Sequence, residues 1–295
     1  MKLATLRDGE GERAFIAVSG GFVSLSTLNS SGVDACWPTT AFELIESGRL
    51  PELTAWYNAG GREKLETLDA VPADQAMAKL APLYRRPRKI WGIGMNYAAH
   101  PDELLTLPAG EEPVSFMKPD TAMIGEGEAI VLPPQSARVT AEAELAIVIG
   151  KVCRNVTEAE AASYVAGYAA SIDTTAADIH ARHMRYLTRA KSFDTFFTFG
   201  SELITPDDVD DLFKLQVETW HNGALAHRNV ISNMRFNPWH LIAFHSQVMT
   251  LLPGDVIMTG TPGSAVLRAG DSVECRIDGF LPLANTVETA SSSPL

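Results

Sequence analysis

The chain has 295 residues and a formal net charge of −12, with 46% hydrophobic and 20% charged residues. That is enough to bury a substantial core in one large or two smaller domains, and the acidic balance argues against a nucleic-acid or anionic-membrane partner. Three widely spaced cysteines (Cys36, Cys153, Cys275) form no CxxC pair, no apolar run reaches the length of a membrane span, and MKLATLRDGEGERAF places charges where a signal peptide needs an apolar core. A reducing cytoplasm is the expected address.

Residues 1–28 read as short strands, LATL, RAFIAV and FVSLS, with SGG as a hairpin turn. Residues 39–60 and 73–81 read as helices, the first interrupted near Gly48–Pro51. The basic stretch Arg85–Lys89 is the expected boundary between a small N-terminal α+β domain (1–84) and a catalytic domain (85–295). Beyond it KIWGIGMN, VSFMKP, AIVLP, LAIVIGK, LQVETW, DVIMTG and SVECRI are strand patterns bounded by Gly, Pro and Asp. Helices are expected over Thr157–Ala170, Ala177–Ala190 and Pro238–Val248, and ASSSPL reads as a frayed tail. Strands and helices do not alternate regularly, which favours an α+β fold over a doubly wound sheet.

The chemistry concentrates in AEAELAIVIGK. In an extended strand, residues two apart share a face, so Glu142 and Glu144 leave the sheet side by side. Two carboxylates held that close repel unless a proton or a cation intervenes, and a hard divalent metal prefers oxygen ligands. For an isolated ExE the plainer reading is a solvent-facing alternation on an edge strand. Asp173, in IDTTAADIH, offers a third carboxylate, although as an N-cap it would need no metal. In GMNYAAHPDE, His100 and Glu103 are spaced for one face of a helical turn, where a carboxylate orients an imidazole for general-base work. Lys118 ends the VSFMKP strand, and Lys191 lies near Asp194, where a local salt bridge is the plain alternative. His180 and His183 form an HxxH that is weak evidence for a transition metal. The loop LPGDVIMTGTPG presents N–H groups and the hydroxyls of Thr259 and Thr261, suited to a carboxylate.

In order, GMNYAAHPDE, PVSFMKP, EAEL–VIGK, the Asp173 segment, AKSFDTF, WHNG and LPGDVIMTGTPG resemble the fumarylacetoacetate hydrolase family, over about residues 88–287. The resemblance implies a mixed β-roll catalytic domain, a variable N-terminal domain and a homodimer. It implies a divalent cation, Mg²⁺ foremost with Mn²⁺ or Ca²⁺ as alternatives, held by Glu142, Glu144 and Asp173. It further implies a His100–Glu103 general base, Lys118 and Lys191 around the bound anion, and Thr261 at a substrate carboxylate. Tyr97 and His180 complete the expected substrate contacts.

The implied reaction is hydrolysis of a carbon–carbon bond in a 2,4-dioxo acid, giving pyruvate and a second acid. A decarboxylase of oxaloacetate-like acids, an enol–keto isomerase and a non-catalytic binder are the alternatives. Where many members read N-D-x-x-A-R-D-x-Q, Ala177 replaces the arginine and His180 the glutamine; in NGALAH, His227 replaces a further amide. Loss of a guanidinium removes a bidentate carboxylate clamp, which points to a different substrate tail. The stretch Pro101–Glu112 reads as an ordered helix or a mobile lid, and LPAGEEP favours the lid.

Overall fold

The computed structural model describes residues 1–290, apart from Glu10, Leu107 and Ala109. Most of the ASSSPL tail lies outside the described residues. The fold is mixed α+β. Two sheets carry it, of thirteen and five strands among the described residues.

Two long strands at the centre of the larger sheet hold the molecule together. Val139–Ile149 and Val165–Ala176 pair antiparallel along nearly their whole length. Val139–Ile149 also pairs with Val256–Met258 and Ser264–Leu267, so it is no edge strand. Its alternation is legible in the packing. Ala143, Leu145, Ile147 and Ile149 enter one core cluster, while Ala146 and Val148 enter the other, with Phe116, Phe197 and Met258. Glu142 and Glu144 share the face of Ala146 and Val148, as period-two geometry requires.

Two helical expectations fail here. Over Thr157–Ala170, only Glu158–Ala161 is α-helical, followed by a 3-10 turn, and from Val165 the chain is a strand. Its alanines favour a helix locally, but small side chains are what a strand buried on both faces can accommodate. At Gly167 a Cβ would meet the Ile204 carbonyl oxygen at 2.5 Å. The expected helix Ala177–Ala190 is divided into Ala177–Arg182 and Leu187–Lys191 by a 3-10 turn. Helix Pro238–Val248 forms as expected, capped by Asn237, whose side chain accepts from the N–H groups of Trp239 and His240.

The first strands, Lys2–Asp8, Gly11–Val18 and Gly21–Ser24, form as expected, and Lys2–Asp8 pairs with Glu202–Ile204, joining them to the larger sheet. FVSLS is half strand: Leu25–Ser30 turns helical, with Ser24 as N-cap. The helix over 39–60 breaks after Glu46 and resumes at Leu50, with Gly48 at φ +72° between them; the helix expected over 73–81 covers Ala73–Met77. The basic stretch is not merely solvated. Arg85 pairs with Glu12 and Glu128, Arg88 with Glu46, and Lys89 with the buried Asp255 at 2.6 Å.

The smaller sheet runs in the order Ala224–Val230, Gln216–His221, Ser272–Ile277, Leu283–Thr289, Ile130–Leu132. It touches the site through Thr219, whose Oγ1 accepts from the N–H of Ala143, between the two glutamates, and donates to the carbonyl of Gly263.

Candidate metal centre

Asp173 is a mid-strand residue and caps no helix. The register sets it directly opposite Glu142, with Ser171 opposite Glu144, so all three carboxylates share one face. Oxygens of Glu142, Glu144 and Asp173 lie within 4.8 Å of one another, with Glu144 and Asp173 each 1% exposed.

Two buried lysines meet this cluster. Lys191 Nζ donates to Glu142 Oε2 at 3.0 Å and to Asp173 Oδ2, and stands 4.6 Å from the centroid of the Phe116 ring. The plainer pairing with Asp194 does not form, because the short helix Leu187–Lys191 turns Lys191 inward. Lys118 Nζ lies 2.7 Å from Asp173 Oδ1, and donates to the carbonyls of Thr174 at 3.1 Å, Phe196 at 2.8 Å and Lys191. Its ammonium is thus enclosed by protein acceptors and braces Asp173 from behind.

The loop after Val256–Met258 completes the cluster. It leaves the central strand opposite Ala146 and rejoins it opposite Glu142, so it bridges past Glu144. There Gly260 N–H donates to Glu144 Oε2 at 2.6 Å, and no described residue donates to Oε1. The Thr259 hydroxyl is spent inward on the Leu145 carbonyl, whereas Thr261 is half-buried, its hydroxyl donating to Gly263 O at 3.0 Å.

Burial pushes the Glu144 carboxyl well above the usual carboxylate range, and the charges of Asp173 and Glu142 push it further. Glu142 is raised by burial, against the pull of Lys191. For Asp173 burial works upward, but Lys118 and Lys191 outweigh it and hold the group ionised. Burial pulls Lys118 down to about 8; for Lys191 it acts the same way, yet Asp173 and Glu142 carry that group above its ordinary value.

A hard divalent cation fits this donor set. Three oxygens converge, and one carboxyl cannot ionise comfortably without a further positive charge. Three carboxylates and two ammoniums leave one net negative charge. A divalent ion turns that into one positive charge, suited to an anionic ligand. Because burial raises the Glu144 carboxyl, protons compete with a cation for it, and affinity is expected to tighten with rising pH, by about tenfold per unit where one proton is released. Calorimetric Mn²⁺ titrations in buffers of different ionisation enthalpy measure that release.

Other expected contacts are placed less closely. Tyr97 has a buried hydroxyl with no hydrogen-bond partner among the described residues, and burial and the charge of Glu144 raise its pKa well above the ordinary value. His100 and Glu103 are both exposed; the Glu103 N–H donates to the His100 carbonyl at 3.0 Å, but no hydrogen bond or ion pair joins their side chains, and the Glu103 carboxylate instead accepts from Ala99 N–H at 3.2 Å. The expected lid opens with a 3-10 helix, Pro101–Thr106, that buries no residue, and Glu111 is held by Arg235 at 2.6 Å. The HxxH does not share a helix face. The helix ends at Arg182, His183 is extended, and its Nδ1 accepts from Arg185 N–H. His180 is half-buried, and the exposed His227 lays its ring against Gly263, where a Cβ would lie 2.5 Å from ring atoms.

A model of the fumarylacetoacetate hydrolase C-terminal family matches residues 89–288. Over 283 residues the chain is 34% identical to the human mitochondrial oxaloacetate tautomerase FAHD2A, covering 91% of this chain and 88% of that protein. Among solved structures it is similar to maleylpyruvate hydrolase from Sphingobium sp. SYK-6 in complex with manganese(II) and pyruvate, at 30% identity and TM-score 0.79, covering 99% of this chain and 100% of that one. It is also similar to 5-carboxymethyl-2-hydroxymuconate delta-isomerase from Mycobacterium smegmatis, at 28% identity and TM-score 0.75, covering 98% and 100%.

Proposed function

Because the chain belongs to the fumarylacetoacetate hydrolase family, we propose that it is a divalent-cation-dependent enzyme that cleaves a carbon–carbon bond of a small 2,4-dioxo acid with water, releasing pyruvate and a second acid. The observation that carries this reading is the buried Glu142–Glu144–Asp173 cluster with the Lys191 ammonium on two of its members. A cation bound there would supply Lewis acidity toward the 2-oxo group and stabilise negative charge developing on its oxygen.

The protein's own residues then have distinct tasks. Lys191 adds fixed positive charge beside the anion, in a place where burial keeps water from screening it. Lys118 holds Asp173 and three carbonyls in place and has no donor to spare for substrate. The free Tyr97 hydroxyl, which feels the charge of Glu144, is a hydrogen-bond donor for the bound acid. Thr261, at the loop that bridges past Glu144, meets a substrate carboxylate. His100 accepts the proton of the attacking water on a ring nitrogen, and Glu103 orients it once Pro101–Thr106 has folded over the site. Such pairs often tighten only when substrate is bound. His180 and His227, half-buried and exposed respectively, contact the substrate tail in place of amides and the missing arginine.

A second reading, keto–enol tautomerisation of an oxaloacetate-like acid, is favoured by the lack of a side-chain bond between His100 and Glu103, since it needs proton transfer but no activated water. The name of the human relative supports it too. The same proposal includes Mg²⁺ as the working ion, a homodimer, a cytoplasmic setting, and residues 1–84 as a smaller unit beside 85–295, in line with a family match that begins at residue 89.

The test is an assay of acylpyruvates and oxaloacetate, with and without Mg²⁺ or Mn²⁺, read as pyruvate release, carbon dioxide and loss of enol absorbance. Metal-dependent pyruvate from an acylpyruvate supports hydrolysis; enol loss alone moves the assignment to tautomerase, and carbon dioxide to decarboxylase. His100→Ala is expected to lower hydrolysis by about 10²–10⁴-fold, the usual worth of a general base, with unchanged Mn²⁺ affinity. Full hydrolysis in that variant removes His100 from the mechanism.

A further inference from the structure

The hydrogen bond from Gly260 to Glu144 depends on how one peptide unit is turned. The N–H of Gly260 and the C=O of Thr259 belong to the same planar trans peptide, so they point in opposite directions. The N–H reaches Glu144 Oε2 at 2.6 Å, and on the other side the C=O accepts from Asn96 Nδ2 at 2.7 Å. A flip of this unit would aim a carbonyl oxygen at a buried carboxylate and leave Asn96 facing an N–H. Gly260 stands at φ +96°, and a Cβ there would lie 2.7 Å from the Cβ of Asn96, so the loop also rests sterically on this residue.

Asn96 is itself immobilised. It is fully buried, its Nδ2 also donates to Phe236 O at 3.0 Å, and its Oδ1 accepts from Phe236 N–H at 2.9 Å. Its own carbonyl accepts from Arg235 N–H at 2.6 Å. Met95, just before it, is held at φ +55°, a conformation that a bulky side chain adopts only when its surroundings dictate it. One side chain therefore fastens the end of strand Ile90–Gly94, the Arg235–Phe236 segment and the TGTPG loop to one another.

We propose that Asn96 is a positioning residue for the metal centre: by holding the Thr259–Gly260 peptide it keeps the Gly260 N–H on Glu144 Oε2 and leaves Oε1 to the cation. The inference rests on the reading of Glu142, Glu144 and Asp173 as the metal ligands. Asn285 provides the control, as another buried amide whose Nδ2 bonds two carbonyls, Gly125 O at 2.9 Å and Glu128 O at 2.7 Å, away from the cluster.

The experiment is Mn²⁺ titration by calorimetry, at fixed pH, of EDTA-stripped full-length protein, with thermal melts of the same samples. Asn96→Ala and Asn285→Ala are both expected to lower the melting temperature. Only Asn96→Ala is expected to weaken the Mn²⁺ dissociation constant, by about tenfold or more. Asn96→Ser, less disruptive but too short to reach Thr259, serves if the alanine variant fails to fold, and is expected to show the same weakening. Wild-type affinity in the folded Asn96 variants, or equal weakening in Asn285→Ala, overturns the inference. If the wild type binds Mn²⁺ no better than Glu142→Ala, the metal assignment itself has failed, which is a separate result.

Discussion

Asp173→Asn is expected to abolish divalent-cation binding and to cost the metal-free protein about 3–5 kcal/mol, the usual consequence of leaving a buried ion pair half complete. Glu144→Gln is expected to abolish binding equally but to leave the metal-free fold within about 1 kcal/mol of wild type, because it removes no ion pair. The two ligands differ in what surrounds them. Asp173 neutralises Lys118 on one oxygen and Lys191 on the other, so its loss strands the Lys118 ammonium and leaves Lys191 with Glu142 alone. The Glu144 carboxylate has only Gly260 N–H as a hydrogen-bond partner among the described residues, and its charge is opposed by burial, by Asp173 and by Glu142. A glutamine keeps the acceptor for that N–H and discards the opposition. Guanidinium unfolding in EDTA, alongside Mn²⁺ calorimetry, separates the two effects. Equal destabilisation by both substitutions would mean that the lysines are not what sustains Asp173.

Lys118→Met is expected to destabilise the metal-free protein by about 3–5 kcal/mol as well. Methionine has nearly the same length but no donor, so Asp173 loses its rear partner and the carbonyls of Thr174, Phe196 and Lys191 lose a hydrogen bond. Because Lys118 bonds the carbonyl of Lys191, the loss should also loosen Lys191 and weaken cation and substrate binding together. A pH signature accompanies it. In the fold, burial lowers Lys118 from 10.5 to about 8. Between about pH 8 and 10.5 the unfolded chain therefore holds this proton more tightly than the native one. Stability should rise with pH across that window, and Lys118→Met should lack the rise. Lys191 works the other way: its native value lies above the ordinary 10.5, so its contribution is present below that pH and lost above it. Denaturation midpoints in EDTA from pH 7.5 to about 10 test the difference; parallel profiles for wild type and variant would exclude the assigned cause.

Sequence by itself determined the pairing of Glu142 with Glu144. Strand periodicity is local, the apolar run LAIVIG announces a buried strand, and the motif order carried the family. It also determined that a strand would end at Lys118 and that a Gly/Thr loop would follow Val256–Met258. Tertiary structure decided the rest, since each remaining feature depends on which distant segments pair. Asp173 lies in a run whose alanines and threonines read locally as helix and helix start; only its register opposite Glu142 makes it a ligand. Lys191 looked free to pair with Asp194 until a short helix turned it inward. Lys118 read from its own segment only as the end of a strand, and four acceptors from other parts of the chain enclose it. His100 and Glu103, three apart, were spaced to touch, yet in the fold Glu103 turns back to Ala99. Asn96 carries no local signal, because its partners at Thr259 and Phe236 lie more than a hundred residues away. Side-chain periodicity is encoded within a few residues, whereas burial and register are set by long-range packing, which no local stretch of sequence specifies.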